Sequence, residues 1–357
     1  MRVIQVLDAL DFGDGVSNDV IHLHEMLDEL QVENAIYSKW WHKKVKRYTH
    51  DIEQCRPQKE DLVIYHFSGK SHIIDFVTAF PCKVILRYHN VTPPSFFQHS
   101  NPESYKNCME GLEQIAALIH RFPDAWGDSQ FNCNDLISHG ARPERMRVLP
   151  IFMDLERLAS APIDEQLDSS LKRGKDYILF VGRVVPNKCI EDILEIFECY
   201  HRFYNGETKL ILVGNDTCDA GYTQKIQGKL SQLSCRSRVT LTGKVSDAQL
   251  YTYYRNASAF VCMSEHEGFC IPLLEAMYFQ LPVVGYNSCA IPDTMGKSGV
   301  LVYKKDPAQI AFILHEIQTN NQLRSSILAA QRENVQHYLH DSVKEQLKSL
   351  LLEEEEH

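Results

Sequence analysis

"RVIQVLDALDFGDGVSNDVIHLHEMLDEL", residues 2–30, runs from an apolar, branched stretch through a glycine-containing turn into a segment whose apolar residues Val20, Leu23, Leu27 and Leu30 recur at helical spacing. That is strand, tight turn, helix. The same grammar returns along the first half of the chain. "DLVIYHF" (61–67), "KVILRYH" (83–89) and "DAWGDS" (124–129) read as strands, and "QFNCNDLISHG" (130–140) as a helix stopped by Gly140. Strands alternating with helices predict a parallel sheet covered on both faces.

After "MRVLPIFMDLERL" (146–158) the sequence loosens into the polar "ASAPIDEQLDSSLKRGKD" (159–176), and then a second series begins. "YILFVGR", a helix near 189–204, "KLILVGN", "RVTLTGKV", the helical "DAQLYTYYRNA", "AFVCMS", "PLLEAMYF" and "PVVGYN" follow in order. The 357 residues therefore predict two α/β domains of roughly 150 residues each. We place an N-terminal Rossmann-like domain at 1–155, a linker at 156–172 and a C-terminal Rossmann-like domain at 173–337, with a helix from about 338 to 357 packing back on the first domain. Two such halves make a cleft, and ligands of open parallel sheets bind beyond the carboxyl ends of the strands.

Composition narrows the function. An apolar share of 44% and a charged share of 24% are those of a soluble globular protein. A formal charge of −10 argues against nucleic acid, which is bound by cationic faces that release counterions. The eleven cysteines form no C-x-x-C pair and are expected as reduced thiols in a cytoplasmic protein. No His/Cys cluster has zinc spacing, and no window approaches 18 uninterrupted apolar residues. The first residues, interrupted by Asp8 and Asp11, read as a strand rather than a leader.

"GDGVSND" (13–19) places Gly13 and Gly15 as G-x-G, but Asn18 stands where a dinucleotide fingerprint has its third glycine. Either it is a plain tight turn, or its glycines let the backbone approach a phosphate or sugar beside a helix N-terminus. "SEHEGFCIPLLEAM" (264–277) holds Glu267 and Glu275 with seven residues between them. A strand ends at Ser264 and Pro272 suits the first turn of a helix, so Glu267 falls on the loop and Glu275 about one turn in. N–H groups near Gly268, Phe269, Cys270 and Ile271 would attract a diphosphate. Carboxylates beside an anion would have to grip hydroxyls, Glu275 those of a ribose and Glu267 those of a sugar; otherwise Glu275 serves only the helix dipole.

This stretch resembles the E-x7-E motif of glycosyltransferase family 4, retaining enzymes of the GT-B fold, an α/β architecture of two Rossmann-like domains whose parallel sheets face each other across a deep cleft. Further pieces match in order. "FVGRVVPNKCIEDILEIF" is similar to the family's G-R-x-x-x-x-K element and implies that Arg183 and Lys188 contact the donor diphosphate. "YHNVTPP" implies that His89 approaches the donor sugar, and "FGDGVSND" that Gly13 and Gly15 lie near the diphosphate and acceptor. "TLTGKVSDAQL" would offer Lys244 and Val245 to the base, with Ser246 or Asp247 capping the next helix.

The resemblance implies a hexosyltransferase with His89, Glu267, Lys188 and Arg183 as catalytic residues and a same-face mechanism. The wording is closest to bacterial surface-polysaccharide mannosyltransferases, which implies GDP-mannose first and a UDP-sugar next, with a glycan or lipid-linked oligosaccharide of polysaccharide or lipopolysaccharide synthesis as acceptor. No cofactor is expected. The chain contains no Asp-x-Asp, so Arg183, Lys188 and the helix N-terminus are expected to replace a metal's charge. Residues 38–48, "SKWWHKKVKRY", combine five cations with Trp40, Trp41 and Tyr48. They are either a docking face for the inner surface of the membrane or a solvated loop with its indoles turned inward. An epimerase or soluble-acceptor synthase of the same fold, or a non-catalytic nucleotide-sugar-binding subunit, remain the alternatives.

Overall fold

The computed structural model describes residues 2–153, 158, 160–174 and 176–355. The expected boundary at 155, residues 156, 157 and 159 of the expected linker, and the last two residues of the expected terminal helix lie outside that set. The chain divides into two compact units: unit 1 comprises Met1–Pro94, Lys106–Met153 and Tyr338–His357, and unit 2 comprises Ser95–Tyr105 and Asp154–His337.

Unit 1 carries seven strands: β1 (Val3–Leu10), β2 (Asn34–Trp41), β3 (Thr49–Asp51), β4 (Leu62–Phe67), β5 (Lys83–Tyr88), β6 (Asp124–Gly127) and β7 (Met146–Val148). They form one parallel sheet in the order β3-β2-β1-β4-β5-β6-β7. All six residues of β4 are buried because both faces are covered. Leu62 and Ile64 enter a core shared with Val343, Leu347 and Leu350 of the helix His340–Glu355, whereas Val63 and Tyr65 enter the opposite core with Leu86 and Ile115. The acidic end of that helix is anchored, with Glu353 paired to Arg147 at 3.0 Å and Glu354 to Lys83.

Unit 2 carries β8 (Tyr177–Val181), β9 (Lys209–Val213), β10 (Val239–Leu241), β11 (Ala259–Cys262), β12 (Val283–Tyr286) and β13 (Val300–Val302), again all parallel, in the order β10-β9-β8-β11-β12-β13. The helix expected near 189–204 spans Ile190–Phe203 and buries Ile193, Leu194, Phe197 and Tyr200 against the sheet. Residues 165–172 of the expected linker lie instead in the helix Glu165–Arg173, capped by Asp164. Asp168 accepts a hydrogen bond from Asn256 at 2.9 Å, and the Asp164 N–H donates to Thr252 at 3.0 Å, which ties this polar segment to the helix Asp247–Asn256. Ser95–Tyr105 belongs with unit 2 through the Ser100 hydroxyl, which donates to Asp219 at 2.6 Å, and the Asn101 amide, which donates to the Cys218 carbonyl at 3.1 Å. Among the described residues no helix is long and apolar enough to cross a membrane.

Candidate functional site

In unit 2 the strand order reverses between β8 and β11, so the loops leaving those two strands flank the crevice where open α/β sheets hold ligands. The first loop is Gly182–Lys188 and the second Met263–Cys270. Three bonds stitch them together. The Glu265 N–H donates to the Asn187 carbonyl at 2.9 Å, the buried Asn187 amide donates to the His266 carbonyl at 2.9 Å, and the Lys188 ammonium donates to Glu267 Oε1 at 2.6 Å. The first loop is braced from behind: the Gly182 N–H donates to the Val213 carbonyl, and a Cβ on Gly214, at φ +153°, would lie 1.8 Å from the Gly182 oxygen. Only glycine allows that approach.

The second loop delivers the chain into the helix Ile271–Tyr278. Its cap residue, Cys270, is left-handed at φ +76° and gives the first turn no side-chain hydrogen bond. Pro272 sits where its missing N–H costs nothing. An uncapped first turn beside an ammonium is an anion-attracting end of a helix.

The Lys188 and Glu267 side chains are 14% and 10% exposed. Burial alone lowers the Lys188 pKa, but the Glu267 carboxylate outweighs it and holds the ammonium above its ordinary value. Lys188 is therefore a fixed positive charge. Glu275, one turn into the helix, accepts the Tyr254 hydroxyl at 2.8 Å, and burial raises its pKa to about 7 against that hydrogen bond. Tyr254 is itself held by stacking on Phe279. Beneath the loop the Cys262 and Cys270 sulfurs lie 3.9 Å apart; their mutual hydrogen bond lowers the pKa of Cys262 and raises that of Cys270.

Lys188, Glu267, Gly268, Phe269, Cys270 and Ile271 thus form one continuous patch, with Glu275 in the next turn facing Tyr254. Arg183 lies on the same first loop, exposed, with no side-chain hydrogen bond or ion pair among the described residues. Lys244 is exposed and Val245 half-buried in the turn between Gly243, at φ +68°, and Ser246, which caps the helix Asp247–Asn256 through a capping box with Gln249.

The remaining candidates belong to unit 1. Gly13 adopts φ +84° and Gly15 opens the helix Gly15–Glu29. The carboxylate of Asp14 between them accepts the Val16 and Ser17 N–H groups, each at 3.0 Å, so two donors of this helix end are already taken by an acid. His89 follows β5 and is buried with both ring nitrogens engaged: Nδ1 lies 3.0 Å from Asp128 Oδ2 and Nε2 2.9 Å from His66 Nδ1. Burial, with His89 and the Arg87 charge beside it, pushes His66 well below its ordinary pKa. His66 Nε2 lies 3.0 Å from Gln5 Oε1, on the side of the ring away from His89. Arg87, fully buried, lies between Asp19 and Asp128 at 3.1 and 3.0 Å.

Sequence reasoning missed Asn187, Gly214, Tyr254, His66 and Asp128. The P-N-K turn and the glycine ending "LILVG" were available signals for the first two. Nothing in the spacing marks the other three: Tyr254 meets Glu275 within unit 2, and His66 and Asp128 meet His89 within unit 1.

A family model described as glycosyl transferases group 1 matches residues 163–352. Among relatives, O-antigen chain mannosyltransferase B of Escherichia coli is 30% identical over 147 residues, covering 41% of this chain and 38% of that protein. A GDP-mannose:cellobiosyl-diphosphopolyprenol alpha-mannosyltransferase of Xanthomonas oryzae is 26% identical over 179 residues, covering 49% and 43%. The aligned stretches thus span less than half the length of either relative. Among solved structures, Anabaena HepE in complex with UDP-glucose superposes with a TM-score of 0.75 at 14% identity, over 99% of this chain and 100% of that one. At that identity the likeness shows the fold, which is GT-B: two Rossmann-like units, each built on a parallel sheet. With the family model spanning more than half the chain, the protein belongs to the group 1 glycosyl transferases.

Proposed function

We propose that the protein moves a hexose, with mannose favoured, from a nucleoside-diphosphate sugar to a glycan or lipid-linked oligosaccharide in bacterial surface-polysaccharide synthesis, with retention and without a metal ion. The observation that carries the reading is the Lys188–Glu267 pair beside the uncapped first turn of the helix Ile271–Tyr278. A diphosphate matches the ammonium and the first-turn N–H groups, and Arg183, with no competing partner, supplies the second cation. Glu267 then grips sugar hydroxyls and Glu275 the ribose, while Lys244 and Val245 meet the base. On unit 1, Gly13, Gly15 and His89 would take part in substrate binding. His89 would exchange its His66 contact for a sugar hydroxyl.

Transfer breaks the bond from the anomeric carbon to the phosphate oxygen and forms one to the acceptor oxygen on the same face. The acceptor's proton passes to the departing phosphate, whose charge Lys188, Arg183 and the helix dipole stabilise. Mannose and GDP rest on the names of the two relatives; the UDP-glucose held by the structural neighbour makes a UDP-sugar the rival.

The acceptor's setting has its own support. Lys39, Lys43, Lys44, Lys46 and Arg47 are all exposed, as are Trp40 at 46% and Phe12 at 49%. Lys39, Lys44 and Lys46 lie over the rings of Trp40, Phe12 and Trp41. Exposed rings under cations suit an anionic headgroup layer, so we place this face on the cytoplasmic surface of the membrane. Liposome binding unchanged by replacing Phe12, Trp40 and the lysines would remove that placement.

The deciding experiment is a thermal-shift screen against GDP, UDP, ADP and dTDP and their sugars, followed by product analysis with the best donor in the presence of EDTA. A nucleotide at 100 times its Kd adds about 2.7 kcal/mol of stability. No shift with any nucleotide would sink the reading, and activity abolished by EDTA would sink its metal independence.

A further inference from the structure

Among the described residues, three groups of His, Cys, Asp and Glu bring donor atoms within 4.8 Å of one another: Asp19 with His66 and His89, Cys189 with Asp192 and Glu265, and Cys262 with Glu267 and Cys270. In the first, Arg87 holds Asp19, and Gln5 and Asp128 hold the outer nitrogens of the two imidazoles. In the second, the Lys305 ammonium spans Asp192 at 2.7 Å and Glu265 at 2.8 Å.

The third group differs in its donors. The Cys262 sulfur contacts Cys270 and the Ser264 hydroxyl, at 3.9 and 3.3 Å, and neither thiol is tied to a cation by a hydrogen bond. We propose that Cys262, Glu267 and Cys270 form a binding site for a thiophilic divalent cation of the zinc class, which replaces the Lys188 ammonium and closes the donor site.

Two sulfurs held about 2.3 Å from one tetrahedral ion lie about 3.8 Å apart. The observed 3.9 Å matches that spacing, whereas a disulfide requires about 2.05 Å. The pair is set by rigid backbone, since Cys262 ends β11 and Cys270 is the left-handed cap of the helix Ile271–Tyr278. The third donor, Glu267, holds a cation already: the Lys188 ammonium lies 2.6 Å from its oxygen. Exchanging that ammonium for a metal ion releases the two thiol protons to solvent and frees Lys188 to swing away. Zinc-type spacing is absent from the linear sequence because Cys262 and Cys270 are eight residues apart, with a strand end and a loop between them.

The site itself stands on this geometry. Its inhibitory consequence rests on the proposed function, because a metal-bound Glu267 cannot grip a sugar and a displaced Lys188 cannot hold a diphosphate.

The full chain, freed of metal and without nucleotide, would be titrated with Cd2+ while the thiolate-to-cadmium charge-transfer absorbance is followed, and with Zn2+ in competition with a chromogenic chelator. One tight equivalent is expected. Cys262→Ser and Cys270→Ser should each abolish it, and Glu267→Gln should weaken it by more than about tenfold, since loss of even an outer-shell partner costs 10- to 100-fold. In the unaltered chain, Zn2+ should protect Cys262 and Cys270 from alkylation ahead of the other nine cysteines, read by peptide mass spectrometry, which needs no variant to fold. Binding undiminished in both serine variants, or alkylation of Cys262 and Cys270 unaffected by Zn2+, overturns the site. Binding undiminished in Glu267→Gln overturns the three-donor assignment. If Zn2+ binds equally well with saturating GDP or UDP in a protein shown to bind that nucleotide, the closing of the donor site is overturned. Failure to bind any nucleotide would count against the proposed function and leave the metal measurement intact.

Discussion

Two turns in this molecule run from a parallel strand beside the point where its sheet's order reverses into a helix, and they are finished in opposite ways. In unit 1 the turn after β1 bends at Gly13, and Asp14 caps the helix Gly15–Glu29 with its carboxylate. In unit 2 the turn after β11 bends at Cys270, whose side chain caps nothing, and Lys188 stands beside it with Glu267 as partner. The first helix end satisfies itself with a negative charge. The second has no such acid as its cap and an ammonium beside it. A glycine-rich turn is the more conspicuous phosphate signal in sequence, yet the charge next to the helix decides which turn suits an anion.

The largest test of this contrast is Lys188→Ala. Removing a transition-state cation costs about 10²- to 10³-fold in kcat, so transfer should fall by at least that much, with weakened nucleotide binding. The same change strands the mostly buried Glu267 carboxylate, a loss of about 3–5 kcal/mol by comparison with broken buried pairs. A second change, Glu267→Gln, removes the stranded charge. The double variant should therefore recover most of the lost thermal stability and none of the activity. A single Lys188→Ala variant that keeps near-normal transfer would erase the distinction between the two turns.

A smaller effect comes from Glu275. Burial raises its pKa to about 7 in the folded chain from the ordinary 4.5, so the folded state favours the protonated acid. Its contribution to stability is full below about pH 4.5 and is lost as pH rises through about 7, a total of about 3 kcal/mol at most. Glu275→Gln carries no such loss. Its melting temperature should match the parent's near pH 4.5 and exceed it at pH 8. Parallel melting curves across that range would show that Glu275 is not held in the half-buried, Tyr254-bonded state. The same variant should weaken nucleotide binding at pH 8 if the ionised acid receives ribose hydroxyls.

Much of the framework was legible because parallel strands covered on both faces must be apolar at consecutive positions, as Leu62 to Phe67 are, and because helices between them keep their own period. The loop position of Glu267 and the helical position of Glu275 followed from Ser264 and Pro272. Their meeting with Lys188 did not follow from spacing: Lys188 and Glu267 are 79 residues apart and adjoin because β8 and β11 are neighbours in the sheet. Only the family resemblance placed them together. Likewise the His66–His89 contact arises because β4 pairs with β5, which no local pattern announces. The polar segment 165–173 read as a connection because its helix buries none of its residues fully; end-capping by Asp164 and bonds to Thr252 and Asn256 fix it instead.

The smallest test addresses the turn in unit 1. Asp14→Ala removes the cap from Val16 and Ser17 and should cost about 1 kcal/mol, while Asp14→Asn, an equally good cap, should cost only a few tenths. Both changes remove a negative charge from a helix end, so each makes that end more attractive to an anion. If the diphosphate is held by Lys188 and the helix Ile271–Tyr278, Asp14→Asn should change nucleotide Kd by less than about fivefold, because an exposed charge near a helix end is worth about 0.3–1 kcal/mol at most sites. A gain of tenfold or more on removing this one carboxylate would mean that the glycine turn of unit 1 also contacts the diphosphate. Asp14 would then be a brake on donor affinity.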